Sequence, residues 1–248
     1  MTIEFLALLF AGAAAGGFIN GLAGFGTALF ALGFWLQVMP PLQAVAISVV
    51  LSVVSGLQGV WIVRRAMLSH LPRLALFLVP ALAGVPLGVA SLAVIDAATL
   101  KLVIAGFLIL YGGFFTFRRA LPRFERPTPV LDIGVGFAGG VLGGAASLSG
   151  ALPTMWCSMR PWPKDEVRAV LQPFNVAVLG LTIAVLAWRG AYTRETLWLI
   201  ALALPVAMIA AQVGIATFKR LADDAFRRLL IGLMLASGVA LLVREVTS

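Results

Sequence analysis

The stretch Gly16-Gly17-Phe18-Ile19-Asn20-Gly21-Leu22-Ala23-Gly24-Phe25-Gly26-Thr27 sets five glycines and an asparagine inside an uncharged run from Phe5 to Val38. As one straight helix that run would be about 50 Å long at about 1.5 Å per residue, well beyond the ~30 Å hydrocarbon core of a bilayer. Glycine costs about 1 kcal/mol per helical residue relative to alanine and admits φ > 0. The segment must bend, fold back or break. Gly17-xxx-Gly21 suits close helix packing through small residues, whereas Gly24-Phe25-Gly26 suits a break.

The rest of the chain says which solvent surrounds it. Of its 248 residues 61% are hydrophobic and 11% charged, with a mean hydropathy of +1.05. A soluble domain carries roughly 25% charged residues, and apolar surface on this scale would aggregate in water. A soluble enzyme, a disordered tail and a disulfide scaffold are excluded, the last also because Cys157 is the single cysteine. Further charge-free runs follow at Leu42–Val63, Leu74–Ile95, Leu102–Phe117, Ile133–Met159, Ala169–Trp188, Thr196–Phe218 and Leu229–Val243, the first set off by Met39-Pro40-Pro41. An all-α polytopic membrane protein, with lipid around it, is expected. The net charge of +8 would suggest nucleic acid in a soluble chain, but no basic stretch is interleaved with aromatics. Lys and Arg collecting in cytoplasmic loops explain it better. The start, Met-Thr-Ile-Glu, lacks a positive n-region, so the first apolar segment is expected to be retained. The tryptophans mostly fall near span ends, as an interfacial belt would place them.

The second half repeats the first. Gly16 to Gly26 lines up with Gly139-Gly140-Val141-Leu142-Gly143-Gly144-Ala145-Ala146-Ser147-Leu148-Ser149, and Pro40 falls on Pro163. The organisation expected is a first repeat over 1–122, a cytoplasmic linker over 123–130 and a second repeat over 131–248. Fourteen of the 18 Lys and Arg lie near 64–73, 118–126, 160–168 and 219–228. That bias arises if each glycine-rich segment enters and leaves on one side; if each crosses once, it nearly vanishes. The positive-inside rule then favours two inverted repeats, each a broken glycine-rich hairpin plus three transmembrane helices, with both termini outside. Eight to ten crossings result, depending on whether the hairpins are re-entrant or span. Irregular backbone at membrane depth survives only where protein or a water-filled cavity satisfies it. An inverted pair of broken segments points to a secondary-transporter site at the repeat interface.

Polar residues gather in the same places. Arg168, Gln172 and Asn175 stand at i, i+4 and i+7 on one helical face, with Pro173 among them removing a backbone hydrogen bond. The matching segment of the first half offers Ser48, Ser52 and Ser55, with Ser52 opposite Asn175; back-bonding to their own helix is the plainer reading of these serines. The second turn adds Ser147, Ser149 and Thr154. Short helices starting after such breaks aim unpaired N–H groups and positive dipole ends into a cavity, where anions bind. The carboxylates Glu4, Asp96, Asp132 and Glu195 sit at span ends, so the inventory favours an anion over a cation. His70 has no Cys or carboxylate at ligand spacing, and Cys157 has no histidine in its segment to activate it. No metal, cofactor or enzymatic role is expected.

At these residues the chain resembles the TauE/SafE family of sulfite exporters and sulfonate permeases. The resemblance covers nearly the whole chain. It rests on Gly17-x-x-x-Gly21-x-x-Gly24-x-Gly26 followed by Pro40, on the counterpart at Gly140–Pro153, and on Arg168-Ala169 with Gln172 and Asn175. One departure is the second turn, where Ser149-Gly150-Ala151-Leu152-Pro153 stands in place of a Gly-Gly-Pro common among members. The resemblance implies a bacterial inner-membrane secondary transporter, coupled to the proton gradient, moving sulfite or sulfonates such as sulfoacetate. The expected substrate-binding set is Arg168, Gln172, Asn175, Ser147, Ser149 and Thr154, joined by Asn20, Gly24, Gly26 and Ser52. An anion channel and a non-transporting assembly partner are the alternatives, and the chain is expected as a monomer or homodimer.

Overall fold

A computed structural model describes residues 2–23, 25–117, 124–220 and 223–247. These residues form ten helices and no strand. In order they are α1 (Ile3–Ala23), α2 (Thr27–Trp35), α3 (Pro41–Ser69), α4 (Leu71–Ser91) and α5 (Ala97–Phe117), then α6 (Pro129–Ala146), α7 (Ala151–Ser158), α8 (Lys164–Trp188), α9 (Arg194–Arg220) and α10 (Asp223–Thr247). Seven of them are long and apolar enough to cross a membrane, and α10 adds a shorter apolar stretch, Ile231–Val243. The chain is a multi-pass, all-α membrane protein.

The long first run resolves as a hairpin. Helix α1 continues through Gly17 and Gly21 to Ala23 and restarts at Thr27, after Gly26 at φ 95°; Gly24 lies outside the described residues. Helix α2 runs back along α1. The Trp35 indole N–H donates to the Leu9 carbonyl at 3.1 Å, and a Cβ added at Gly16 would lie 2.8 Å from the Thr27 carbonyl oxygen. Trp35 is fully buried by this contact, so it fastens the hairpin and does not join an interfacial belt. Trp61, Trp188 and Trp198 are exposed, as a belt requires.

Helices α6 and α7 make the second hairpin. A Cβ at Gly139 would meet the Ser149 carbonyl at 3.0 Å, and Trp156 Nε1 donates to Asp132 Oδ1 at 2.6 Å. Helix α6 ends in a left-handed (αL) cap: Ser147 N–H returns to Gly143 O at 3.0 Å, and Leu148 N–H bonds Leu142 O at 3.1 Å. The left-handed residue this turn needs is usually glycine, but here it is Ser147, at φ 59° and ψ 26°.

Helix boundaries recur at a spacing of 123 residues: α1 and α6 end at Ala23 and Ala146, and α3 and α8 begin at Pro41 and Lys164. Packing recurs as well. The two most extensive helix pairs are α1 with α9 and α4 with α6, and α3 meets α8 while α5 meets α10. Backbone approach through small residues makes the first two crossings possible. A Cβ at Gly17 or Gly21 would collide with the Ala207 or Ala211 carbonyl, and one at Gly140 or Gly144 with the Ala81 or Val85 carbonyl. In lipid, apolar side chains gain nothing by leaving their surroundings, so such van der Waals closeness is what associates helices.

Candidate functional site

The tips of both hairpins meet α3 and α8 around an open cavity. Its polar lining comes from Asn20 on α1, Thr27 on α2, Ser52 on α3, Ser147 and Ser149 in the second turn, and Gln172 and Asn175 on α8. Gly26 and Gly150, just before α2 and α7, bring the N-termini of both short helices to the wall. Phe25, Leu29, Leu148, Val176 and Leu179 supply the apolar remainder.

Local geometry explains how α8 fits between the breaks. Ser149 Oγ donates to Asn175 Oδ1 at 3.0 Å, and a Cβ at Gly150 would lie 2.7 Å from both amide heteroatoms of Asn175. The amide therefore rests on bare backbone. Gln172 Nε2 donates to the Gly56 carbonyl at 3.1 Å, and a Cβ at Gly59 would lie 2.6 Å from the Gln172 carboxamide. Gly59 of α3 thus makes room for the Gln172 side chain, and Gly56 makes room for Val176.

Two hydroxyls are left over. Thr27 is 2% exposed and Ser147 7% exposed, and neither Oγ has a hydrogen-bond partner among the described residues. A buried hydroxyl without a partner is costly, of the order of 1–3 kcal/mol. Both belong to the cavity wall. Ser147 also holds a left-handed backbone conformation, which costs a non-glycine residue about 1–2 kcal/mol. Unmet donors and strain at one spot are the pattern expected of a ligand clamp.

Of the residues singled out by sequence, Asn20, Ser52, Ser147, Ser149, Gln172, Asn175 and Gly26 come together at this wall. Arg168 is exposed and Thr154 half-buried, and neither lines the cavity. The serines of α3 divide: Ser55 Oγ bonds back to Leu51 O at 2.8 Å, Ser52 reaches the cavity, and Ser48 Oγ is buried without a partner. Thr27 is the lining residue whose side chain sequence reasoning passed over; its place directly after Gly26 was the available signal.

A second polar cluster was not anticipated. Arg160, 6% exposed, pairs with Asp132 at 2.8 Å, donates to the Arg126 carbonyl at 2.6 Å and also bonds Thr128. Its guanidinium lies 5.0 Å from the Trp156 ring. This cluster sits at the base of the second hairpin, joining the first turn of α6 to the end of α7. Asp132, expected at a span end, is there but buried. In the first turn of α8, Glu166 pairs with Arg73 and lies 3.7 Å from His70 Nδ1.

Fold and site together define a multi-pass helical membrane protein with a donor-lined cavity between two broken hairpins. The family model described as Sulfite exporter TauE/SafE matches residues 8–241, and the chain belongs to that family. A probable sulfite/organosulfonate exporter TauE of Cupriavidus necator is 27% identical over 154 residues, covering 62% of this chain and 60% of that protein. The match thus spans about three-fifths of the relative's length. No solved structure matches.

Proposed function

We propose that the chain is a secondary transporter, not an enzyme, that moves small sulfur-containing anions, sulfite and sulfonates, across the bacterial inner membrane. The observation that carries this reading is the cavity at the two hairpin tips, with two short-helix N-termini and a ring of hydroxyl and carboxamide donors. Family membership and the relative named as an exporter of sulfite and organosulfonates support it. Helix N-termini carry about half a unit of positive charge each and attract anions without a formal cation. Asn175, Ser149, Gln172, Asn20 and Ser52 orient the substrate, while the backbone at Gly26 closes it from the other half. Arg168 draws anions toward the cavity from outside its wall, and Thr154 supports the α7 start.

The transport cycle we infer is alternating access by two inverted repeats, 1–122 and 131–248, joined by 123–130. The reciprocal packing of α1 on α9 and α4 on α6 favours it, because equivalent elements then exchange environments between the two states. Energy comes from the proton gradient. The test is flux into proteoliposomes for sulfite, thiosulfate, sulfoacetate, other sulfonates and simple carboxylates, with and without a pH difference. Saturable flux of the sulfur anions that responds to the pH difference is expected. Conductance indifferent to pH difference would instead mark a channel, and absent flux with a co-purifying protein an assembly partner.

A further inference from the structure

Resting on the transporter reading of the cavity, we propose that Arg73, Glu166 and Trp162 form the gate that closes it toward the basic loops. Tyr192 against Ala46 is the counterpart on the opposite face. The register of α3 against α8 places both contacts. A Cβ at Gly56 would meet Val176 Cγ2 at 2.9 Å, and one at Gly59 the Gln172 carboxamide at 2.6 Å. Advancing along α3 therefore means retreating along α8, so the two helices run antiparallel. The corner after α3 reaches the first turn of α8, where Arg73 pairs with Glu166 and His70 Nδ1 lies 3.7 Å from the same carboxylate. The corner after α8 reaches the start of α3, where Tyr192 OH donates to Ala46 O at 3.4 Å. Cavity residues Ser52 and Gly56 lie between these contacts along α3, and Gln172 and Asn175 lie between them along α8.

The two corners are equivalent, since α4 and α9 begin at Leu71 and Arg194, again 123 residues apart. They are not equally tight. Arg73 has an aromatic partner as well as a carboxylate, with its guanidinium 4.6 Å from the Trp162 ring. Trp162 also lies 5.8 Å from the guanidinium of Arg160, whose pair with Asp132 holds the base of the second hairpin. The ionic corner thus ties the first half of the chain to the hairpin that carries Ser147 and Ser149 at its tip. Helix α4 also packs on α8 more extensively than α9 does on α3. An ion pair with a cation–π contact outweighs a long neutral hydrogen bond, so the structure is closed on the basic face. The closure is also breakable. The Arg73 side chain is 43% exposed, and a solvated pair costs little to part, unlike the buried pair of Arg160 with Asp132.

The experiment is thiol labelling of Val176→Cys, a reporter on the cavity wall, in the full-length protein in membrane vesicles of each orientation. Cys157 is buried and gives no background, and Arg64→Cys identifies the basic face. An impermeant reagent should reach Val176→Cys faster from the face opposite the basic loops. Adding Glu166→Gln or Arg73→Gln should raise labelling from the basic face about threefold or more and lower it from the other. Tyr192→Phe should do the reverse, and Arg73→Lys, which keeps the charge, should label as the parent does. A parent labelled faster from the basic face overturns the closure. Labelling that rises from both faces marks a static pair whose loss loosens the fold, and it overturns the gate. So do unaltered rates in both Gln variants, or an Arg73→Lys variant as open as Arg73→Gln. Reciprocal shifts in a parent that carries no sulfite flux would keep the two-state gate and overturn the transporter reading alone.

Discussion

Ser147 joins two costs in one residue, a left-handed backbone and a buried hydroxyl without a partner. Substitutions can separate them. Ser147→Gly removes both, so the melting temperature should rise by a few degrees, in keeping with about 1 kcal/mol of relieved backbone strain. Substrate affinity should fall at the same time, by about two- to tenfold for one lost hydrogen bond. Ser147→Ala loses the hydroxyl while keeping the strain, and so should match the affinity loss with less thermal gain. Equal melting temperatures for the two variants would show that the αL conformation costs nothing here. Arg168 makes the opposite case, since it is exposed and outside the wall. A charge at that position acts at range, so Arg168→Ala should raise KM several-fold at low ionic strength and much less at high salt, with the maximal rate kept. A KM shift that ignores salt would instead place the guanidinium on the substrate.

At the level of elements, the two hairpins are fastened differently at their bases. In the first, the Trp35 indole meets the Leu9 backbone; in the second, Trp156 and Arg160 converge on the Asp132 carboxylate. Removing one member of a buried ion pair strands the other, at about 3–5 kcal/mol, whereas replacing both with apolar residues is often neutral. Asp132→Leu alone should therefore lower the melting temperature sharply, and Asp132→Leu with Arg160→Met should recover most of it. No recovery in the double variant would mean that the fastening depends on Arg160's bonds to the Arg126 carbonyl and Thr128 more than on the pair. The helix crossings give a second contrast. Gly21→Leu drives a side chain into the Ala211 carbonyl and should abolish folded protein, while Gly106→Ala, with nothing within 4 Å, should be neutral or mildly stabilising. Fluorescence-detected size exclusion of both variants distinguishes them. Much of this level was legible beforehand. Excess length and glycine spacing placed the first break between Ala23 and Thr27, and the repeat offset placed the second. What escaped was burial of Arg160 and Asp132, because a charge near a span end looks the same in sequence whether it faces water or a neighbouring turn. The Arg168 face shows a related limit: a helical stripe defines an azimuth, not a depth, and the cavity reaches Gln172 and Asn175 but stops short of Arg168.

For the whole molecule, orientation is what the loop charges decide. Helices α2 and α7 return along α1 and α6, as the Leu9–Trp35 and Asp132–Trp156 bonds require. If the hairpins are re-entrant, the loop near 64–73 faces the side opposite to the N-terminus, and the basic loops collect on one face. Cytoplasmic Lys and Arg then put both termini in the periplasm. The protein offers a clean way to check this, because its single native cysteine, Cys157, is fully buried and will not react with an impermeant thiol reagent. Thr2 and Arg64 are both exposed, so each can be replaced by cysteine in turn. The reagent should label Thr2→Cys in intact cells and Arg64→Cys only after the membrane is opened. The reverse pattern would turn the molecule over, and labelling of both in intact cells would place residues 2 and 64 on one side. That last result would add a crossing within α1–α3 and remove the inverted relation between the halves. Alternating access by exchange of equivalent elements would fall with it, although the cavity and its donors would remain where they are.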